Sequence, residues 1–274
     1  MQNSKTALIT GATSGIGSAI AEHLAQQGYS LYMLGRSQEK LTNTKNHLRK
    51  LNPNVNVHPI LCDLASKSST LKACEEVGSI AASIDILILN AGLWNFQFKE
   101  TEDNIEETLQ VNVLSHLMIF EKLIHLVPKN NQSKVLFTTS GLHQGTINFE
   151  DLEFRTNFSG YKCYRQSKLA VLMLTRWFSQ QDEFKGISFY CVHPGMVNTQ
   201  LGRSAGWFSR SIFKLFGKPK HKGAKTHIFL IDQDPKLLTS GECYANCAVT
   251  PTSSYSYDMK VGERLWKVLK EYLN

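Results

Sequence analysis

The chain has 274 residues, 42% hydrophobic and 19% charged, the balance of a soluble globular protein long enough to bury a substantial core. Its net charge of +7 is local: residues 203–225 hold seven Lys/Arg and no Asp or Glu, and the other 23 basic and 23 acidic residues cancel, which excludes a whole-chain binder of nucleic acid. No apolar run approaches a membrane span or a signal-peptide core. The scattered Cys62, Cys74, Cys163, Cys191, Cys243 and Cys247 lack metal-ligand or disulfide-framework spacing, so they read as reduced thiols of a cytoplasmic protein that binds no metal.

Short apolar runs rich in β-branched or aromatic residues alternate with helical patterns. TALIT (6–10), SLYML (30–34), VNVHPIL (55–61), IDILIL (84–89), KVLFTT (134–139) and ISFYCV (187–192) are expected strands. Pro59 is awkward for a central strand and suggests that the third one ends there. Residues 16–27, 39–51 and 105–126 carry i, i+3, i+4 periodicity. Strand–helix alternation predicts an α/β fold, a doubly wound sheet of six or seven parallel strands with helices on both faces. No linker divides the chain, so 1–274 reads as one domain. In such sheets ligands bind beyond the carboxyl ends of the strands, and those ends are where unusual residues cluster.

After the first strand comes Thr10-Gly11-Ala12-Thr13-Ser14-Gly15-Ile16-Gly17. Glycines at a strand-to-helix turn let the backbone approach a pyrophosphate, which the free N–H groups of the helix start then bind. The alternative is an ordinary turn. After the second strand comes Arg36, where a fold that prefers NAD usually has an acidic residue for the ribose 2′-hydroxyl. An arginine there favours a 2′-phosphate through charge-assisted bonds worth about 1.5–3 kcal/mol, so the cofactor reads as NADP(H). A solvated surface arginine is the bland alternative. After the third strand, Asp63-Leu64 offers a carboxylate to an adenine amino group, or an N-cap to the helix near Ser66. After the fourth, Asn90-Ala91-Gly92 lets a ribose lie against the backbone, or simply turns the chain.

Tyr164 and Lys168 stand four positions apart, on one face of a helix. With 9 tyrosines and 22 lysines in the chain, about one such spacing is expected by chance, so the pair takes its meaning from its surroundings. Together with Ser140 after the fifth strand and Pro194-Gly195 after the sixth, these motifs run in the order of the short-chain dehydrogenase/reductase family, which the chain resembles over nearly its whole length. GTINFEDLEF (145–154) and HPGMVNTQL (193–201) look like its retinol-dehydrogenase-like branch. The resemblance implies a Rossmann-type domain of about seven parallel strands and an NAD(P)-linked alcohol/carbonyl oxidoreductase with a Ser140–Tyr164–Lys168 centre.

It further implies that Asn112 kinks its helix and holds a water linking Lys168 to solvent. A buried packing amide is the alternative for Asn112. Lys168 would also bond the nicotinamide ribose, and the backbone of Pro194, Gly195 and Val197, with Thr199, would meet the carboxamide or the pyrophosphate. His193 reads as structural. Thr138 and Thr139 are rival hydroxyls to Ser140. Physically, a lysine cation about 5 Å away at an effective dielectric near 20 favours a phenolate by roughly 3 kcal/mol, about two pK units.

GWFSRSIFKLFGKPKHKGAK (206–225) is basic and aromatic. It reads as part of a substrate flap at about 200–225 over a hydrophobic carbonyl or alcohol, as a membrane-surface helix, or as a solvated loop. A nucleic-acid patch ranks last. Two departures from the branch stand out. Many members carry an N-terminal anchor, whereas this chain starts almost at its first strand, and Thr139 stands where a second serine is common. A non-catalytic NADP(H)-binding regulator is the competing reading, against which the intact Ser140, Tyr164 and Lys168 argue. Homo-oligomers are common in the family, but no interface is legible.

Overall fold

The first strand, β1 (Thr6–Thr10), sends Leu8 into one apolar cluster and Ala7 and Ile9 into another. A strand buried on both faces needs cover on both, and the computed structural model, which describes residues 4–195 and 219–273, shows helices supplying it. The strands that follow are β2 (Ser30–Gly35), β3 (Val57–Leu61), β4 (Ile86–Leu89), β5 (Ser133–Thr138), β6 (Ile187–Val192), β7 (Cys243–Ala245) and β8 (Ala248–Val249). They lie in the order β3-β2-β1-β4-β5-β6-β7-β8, with β1–β7 parallel and β8 antiparallel. This is the expected doubly wound Rossmann-type fold with one hairpin strand added. That hairpin turns through Asn246 and Cys247, both at positive φ, as a two-residue loop matched to strand twist requires.

Pro59 does not end its strand. It sits in the middle of β3, in register with Met33. The reason is topological: β3 is the edge strand, so only one of its sides must supply ladder bonds.

Helices α1 (Gly15–Gln26), α2 (Gln38–Leu51) and α7 (Lys220–Asp232) pack their apolar residues into the cluster that receives Ile9. Helices α3 (Lys67–Ile80), α4 (Glu107–Leu109), α5 (Ser115–Leu123), α6 (Gly160–Ser179) and α8 (Met259–Leu273) border the cluster that receives Leu8. Between α4 and α5 the helix opens into a π turn, Gln110–Leu114, with Asn112 at its centre. Lys134 on β5 is buried, and its ammonium donates to the carbonyls of Leu230 (2.8 Å), Ile231 (2.7 Å) and Gln233 (2.6 Å), a cation on the negative end of α7. Among the described residues no helix is long and apolar enough to cross a membrane.

Strand order reverses between β2-β1 and β4-β5, so the crevice expected for a ligand opens where β1 and β4 end.

Candidate active site

Thr10 closes β1, and its side chain ties the two strand ends at the crevice together. Its Oγ1 accepts the backbone N–H groups of Asn90 (2.9 Å) and Ala91 (3.0 Å), and Asn90 Nδ2 donates to its carbonyl (3.1 Å). Gly11 then turns the chain at φ +70°. Gly17 must be glycine, since a Cβ there would lie 2.2 Å from the Gly11 carbonyl oxygen. Ser14, the N-cap of α1, is extended and its side chain makes no capping bond. The helix start therefore presents first-turn N–H groups to the cleft, a setting that suits a phosphate.

A cleft of about 840 Å³ runs from this turn past Arg36, Asp63, Leu64 and Asn90-Ala91-Gly92 to Ser140, Tyr164, Lys168, Pro194 and Gly195. Thr13, Gly15 and Ile16 also line it. Arg36 is exposed on its wall. Capping of α3 falls to Ser66, whose hydroxyl accepts the Ser69 N–H (3.2 Å), while Asp63 accepts the nearby Ala65 N–H (3.0 Å). Val197, Thr199 and most of the expected flap lie outside the described residues.

At the far end Ser140, from the loop after β5, lines the same cleft as the phenol of Tyr164 on α6, and its hydroxyl acts to lower that phenol's pKa. Its rivals are committed elsewhere. Thr138 Oγ1 meets His227 Nε2 at 2.9 Å, and Thr139 Oγ1 donates to the Lys168 carbonyl at 2.8 Å. The Lys168 ammonium is buried, donates to the Thr138 carbonyl (3.0 Å) and lies 5.8 Å from the Tyr164 ring centre. Burial pulls its pKa down to about 8. Burial also raises the Tyr164 phenol, and the Ser140 hydroxyl only partly opposes this. This differs from the sequence-based expectation of a phenol lowered by its lysine: desolvation of the phenolate outweighs attraction across that distance.

Asn112 is brought to the same place, 3.2 Å from where a Cβ on Gly92 would sit, with Lys168 Nζ at 3.3 Å from that point. Its Oδ1 accepts the Leu93 N–H (2.8 Å), and its Nδ2 donates to the Leu93 carbonyl (2.9 Å) and to Ser167 Oγ (3.0 Å). Both amide donors are thus spent on protein, which leaves one Oδ1 lone pair and the backbone carbonyls of the π turn to hold any water linking Lys168 to solvent. His193 lines the cleft but accepts the Gly195 N–H at Nδ1 (3.3 Å) and crowds Gly141, in keeping with a structural part.

Sequence reasoning missed Trp94. Its indole stacks on the Tyr164 ring (centroids 4.6 Å, 10° apart) and continues to Phe96 (5.0 Å) and Tyr161 (6.2 Å). The only signal was an aromatic residue two places after Gly92. The result is an aromatic wall beside the phenol. It favours flat or apolar ligands over charged ones.

A short chain dehydrogenase family model matches residues 5–207. The chain belongs to the short-chain dehydrogenase family, and it is an enzyme of the oxidoreductase class. It is 30% identical to retinol dehydrogenase 14 of Mus musculus over 98% of this chain and 85% of that protein. An uncharacterised Mycobacterium paratuberculosis protein shares its fold at TM-score 0.78 and 24% identity, covering 98% of this chain and 92% of the other. An alcohol dehydrogenase from the archaeon Thermococcus sibiricus, solved with 5-hydroxy-NADP, matches at TM-score 0.67 and 25% identity over 92% and 100% of the two chains. The similarity to retinol dehydrogenases places the chain beside the branch that its sequence resembles.

Proposed function

We propose that the protein is an NADP(H)-dependent oxidoreductase of the cytoplasm that interconverts an alcohol and a carbonyl on a hydrophobic small molecule. The observation that carries this is the Ser140–Tyr164 hydroxyl pair, with buried Lys168 one turn further along α6, at the end of a cleft that begins on the glycine turn. The cradle fits a dinucleotide: Gly17 lets α1 start directly against the Gly11 carbonyl, which holds the glycine turn at the head of the cleft, and Arg36 stands on its wall, where a 2′-phosphate would be met. Thermococcus alcohol dehydrogenase, bound to an NADP derivative, supports the same choice.

When bound, the nicotinamide exchanges a hydride with the substrate carbon. The protein's own groups handle the proton. Burial keeps the Tyr164 phenol in its acid form, ready to give its proton to a substrate oxygen. Ser140 holds that oxygen in place. The Lys168 ammonium, 5.8 Å from the ring centre, stabilises the phenolate left behind through space. The Trp94–Phe96–Tyr161 wall and the similarity to retinol dehydrogenases support an apolar substrate.

The test is turnover of an apolar aldehyde and ketone panel, followed by loss of NADPH fluorescence, in the wild type and in Tyr164→Phe. The expected result is turnover that Tyr164→Phe abolishes while NADPH still binds. NADPH binding by the wild type with no turnover of any substrate would instead make the protein a non-catalytic regulator.

A further inference from the structure

His116 lies on α5, one turn past Asn112, and is buried behind the cleft rather than lining it. Its Nε2 is 3.1 Å from Thr10 Oγ1. That hydroxyl already accepts two backbone N–H groups, from Asn90 and Ala91, which fill its acceptor sites. Its one hydrogen is left to point at the imidazole, so Nε2 must accept. A neutral imidazole that accepts at Nε2 carries its proton on Nδ1. The backbone carbonyl of Asn112, one turn earlier on the helix, acts on the ring in the opposite sense to burial, favouring its protonated form. The ring is held neutral, its pKa pushed down to about 3 by burial first and then by the Lys168 cation.

The Asn112 side chain begins a second run. Its Nδ2 donates to Ser167 Oγ (3.0 Å), and Ser167 Oγ donates to the Tyr164 carbonyl (2.8 Å). Two runs of hydrogen bonds meet on this helix. One goes from the Asn90-Ala91 amides through Thr10 to the ring of His116. The other goes from the side chain of Asn112, one turn before His116, through Ser167 to the Tyr164 carbonyl. Among the described residues the other fully buried histidine is placed differently: His227 meets Thr138, and its Nδ1 has no partner there.

We propose that His116, fixed as the neutral Nδ1–H tautomer, is a positioning residue that sets the register of the Asn112 π turn, and with it Tyr164, against the Thr10–Asn90–Ala91 end of the cleft. The kinetic part of this inference rests on the oxidoreductase reading, whereas the tautomer and the cofactor-binding part do not.

Glutamine can copy both roles, accepting through its carbonyl and donating through its amide, whereas methionine fills the volume and does neither. His116→Met is expected to lower kcat by about tenfold, the rate equivalent of one lost buried hydrogen bond, with KM for the carbonyl substrate little changed. NADPH affinity should weaken several-fold, and His116→Gln should restore both to within about threefold of the wild type. In ¹⁵N-histidine NMR of the wild type, His116 should show a proton on Nδ1 and a bare Nε2. A proton on Nε2, or Gln and Met variants that fold and lose or keep function alike, would overturn the proposal. If His116→Met does not fold, the tautomer and the His116→Gln protein decide it. Absence of any turnover in the wild type would sink the oxidoreductase reading alone, leaving the tautomer and NADPH titrations to judge this one.

Discussion

At the glycine end the cleft is walled by backbone: Gly11 and Gly15 carry no side chain, Gly17 packs beneath the turn, and Asn90 and Ala91 are held by their amides. At the Tyr164 end it is walled by buried side chains whose protons are displaced from their ordinary positions, with the phenol raised and the lysine lowered to about 8. One end works by shape, which pH does not alter. The other works by charge in a poorly solvated place, where each proton is costly to move. Damage to the first should show in binding, and damage to the second in turnover.

Tyr164→Phe gives the largest break. Turnover of a carbonyl substrate should fall about 10²–10⁴-fold while the NADPH dissociation constant, read by fluorescence titration, holds within about threefold. Equal loss of both would show that the ends do not separate. Gly17→Ala attacks the other side, because its methyl would have to sit 2.2 Å from the Gly11 carbonyl oxygen. NADPH binding should weaken by about two powers of ten, the equivalent of a clash of about 3 kcal/mol, and unchanged binding would show the turn shifts freely. Arg36→Leu should cost about tenfold in NADPH affinity and leave NADH affinity unaltered, so a parallel loss of both would remove Arg36 from the 2′-phosphate site.

The smallest effect is on stability. His116 and His227 are both buried, with pKa values lowered to about 3, chiefly by desolvation. Below the ordinary value of 6.5 the unfolded chain takes protons that the folded one refuses, so stability is full above that pH and declines as pH falls toward about 3. From pH 6.5 to 5.5 each residue should cost about 1 kcal/mol, seen as a falling Tm, and a flat Tm would show that the two rings accept protons where they sit.

The six strands expected from the sequence lie in the described sheet, because runs such as ILIL and SKVLFT are long enough to state their pattern. The glycine turn and Ser140 follow strands whose ends can be read locally, whereas Tyr164 and Lys168, inside α6, drew their meaning from the order of the motifs around them. The three-residue β7 and two-residue β8 carry too few residues to show a period. Pro59 was misplaced because an edge position depends on strand order, which no local stretch records. Trp94 lying over Tyr164 and Thr10 meeting His116, 106 positions apart, are products of the assembled sheet. The raised phenol was missed because attraction was estimated without knowing how deeply the ring is buried.

The bulge at Gln110–Leu114 also makes residue number itself a constraint. An α-helix advances about 100° per residue, so removing one amino acid there would let the helix close and swing all that precedes it around the axis by that angle. Elsewhere along this helix a replacement is judged by size and polarity. At this spot a shortening would disconnect parts that every substitution had left intact, even if each remaining side chain were the right one.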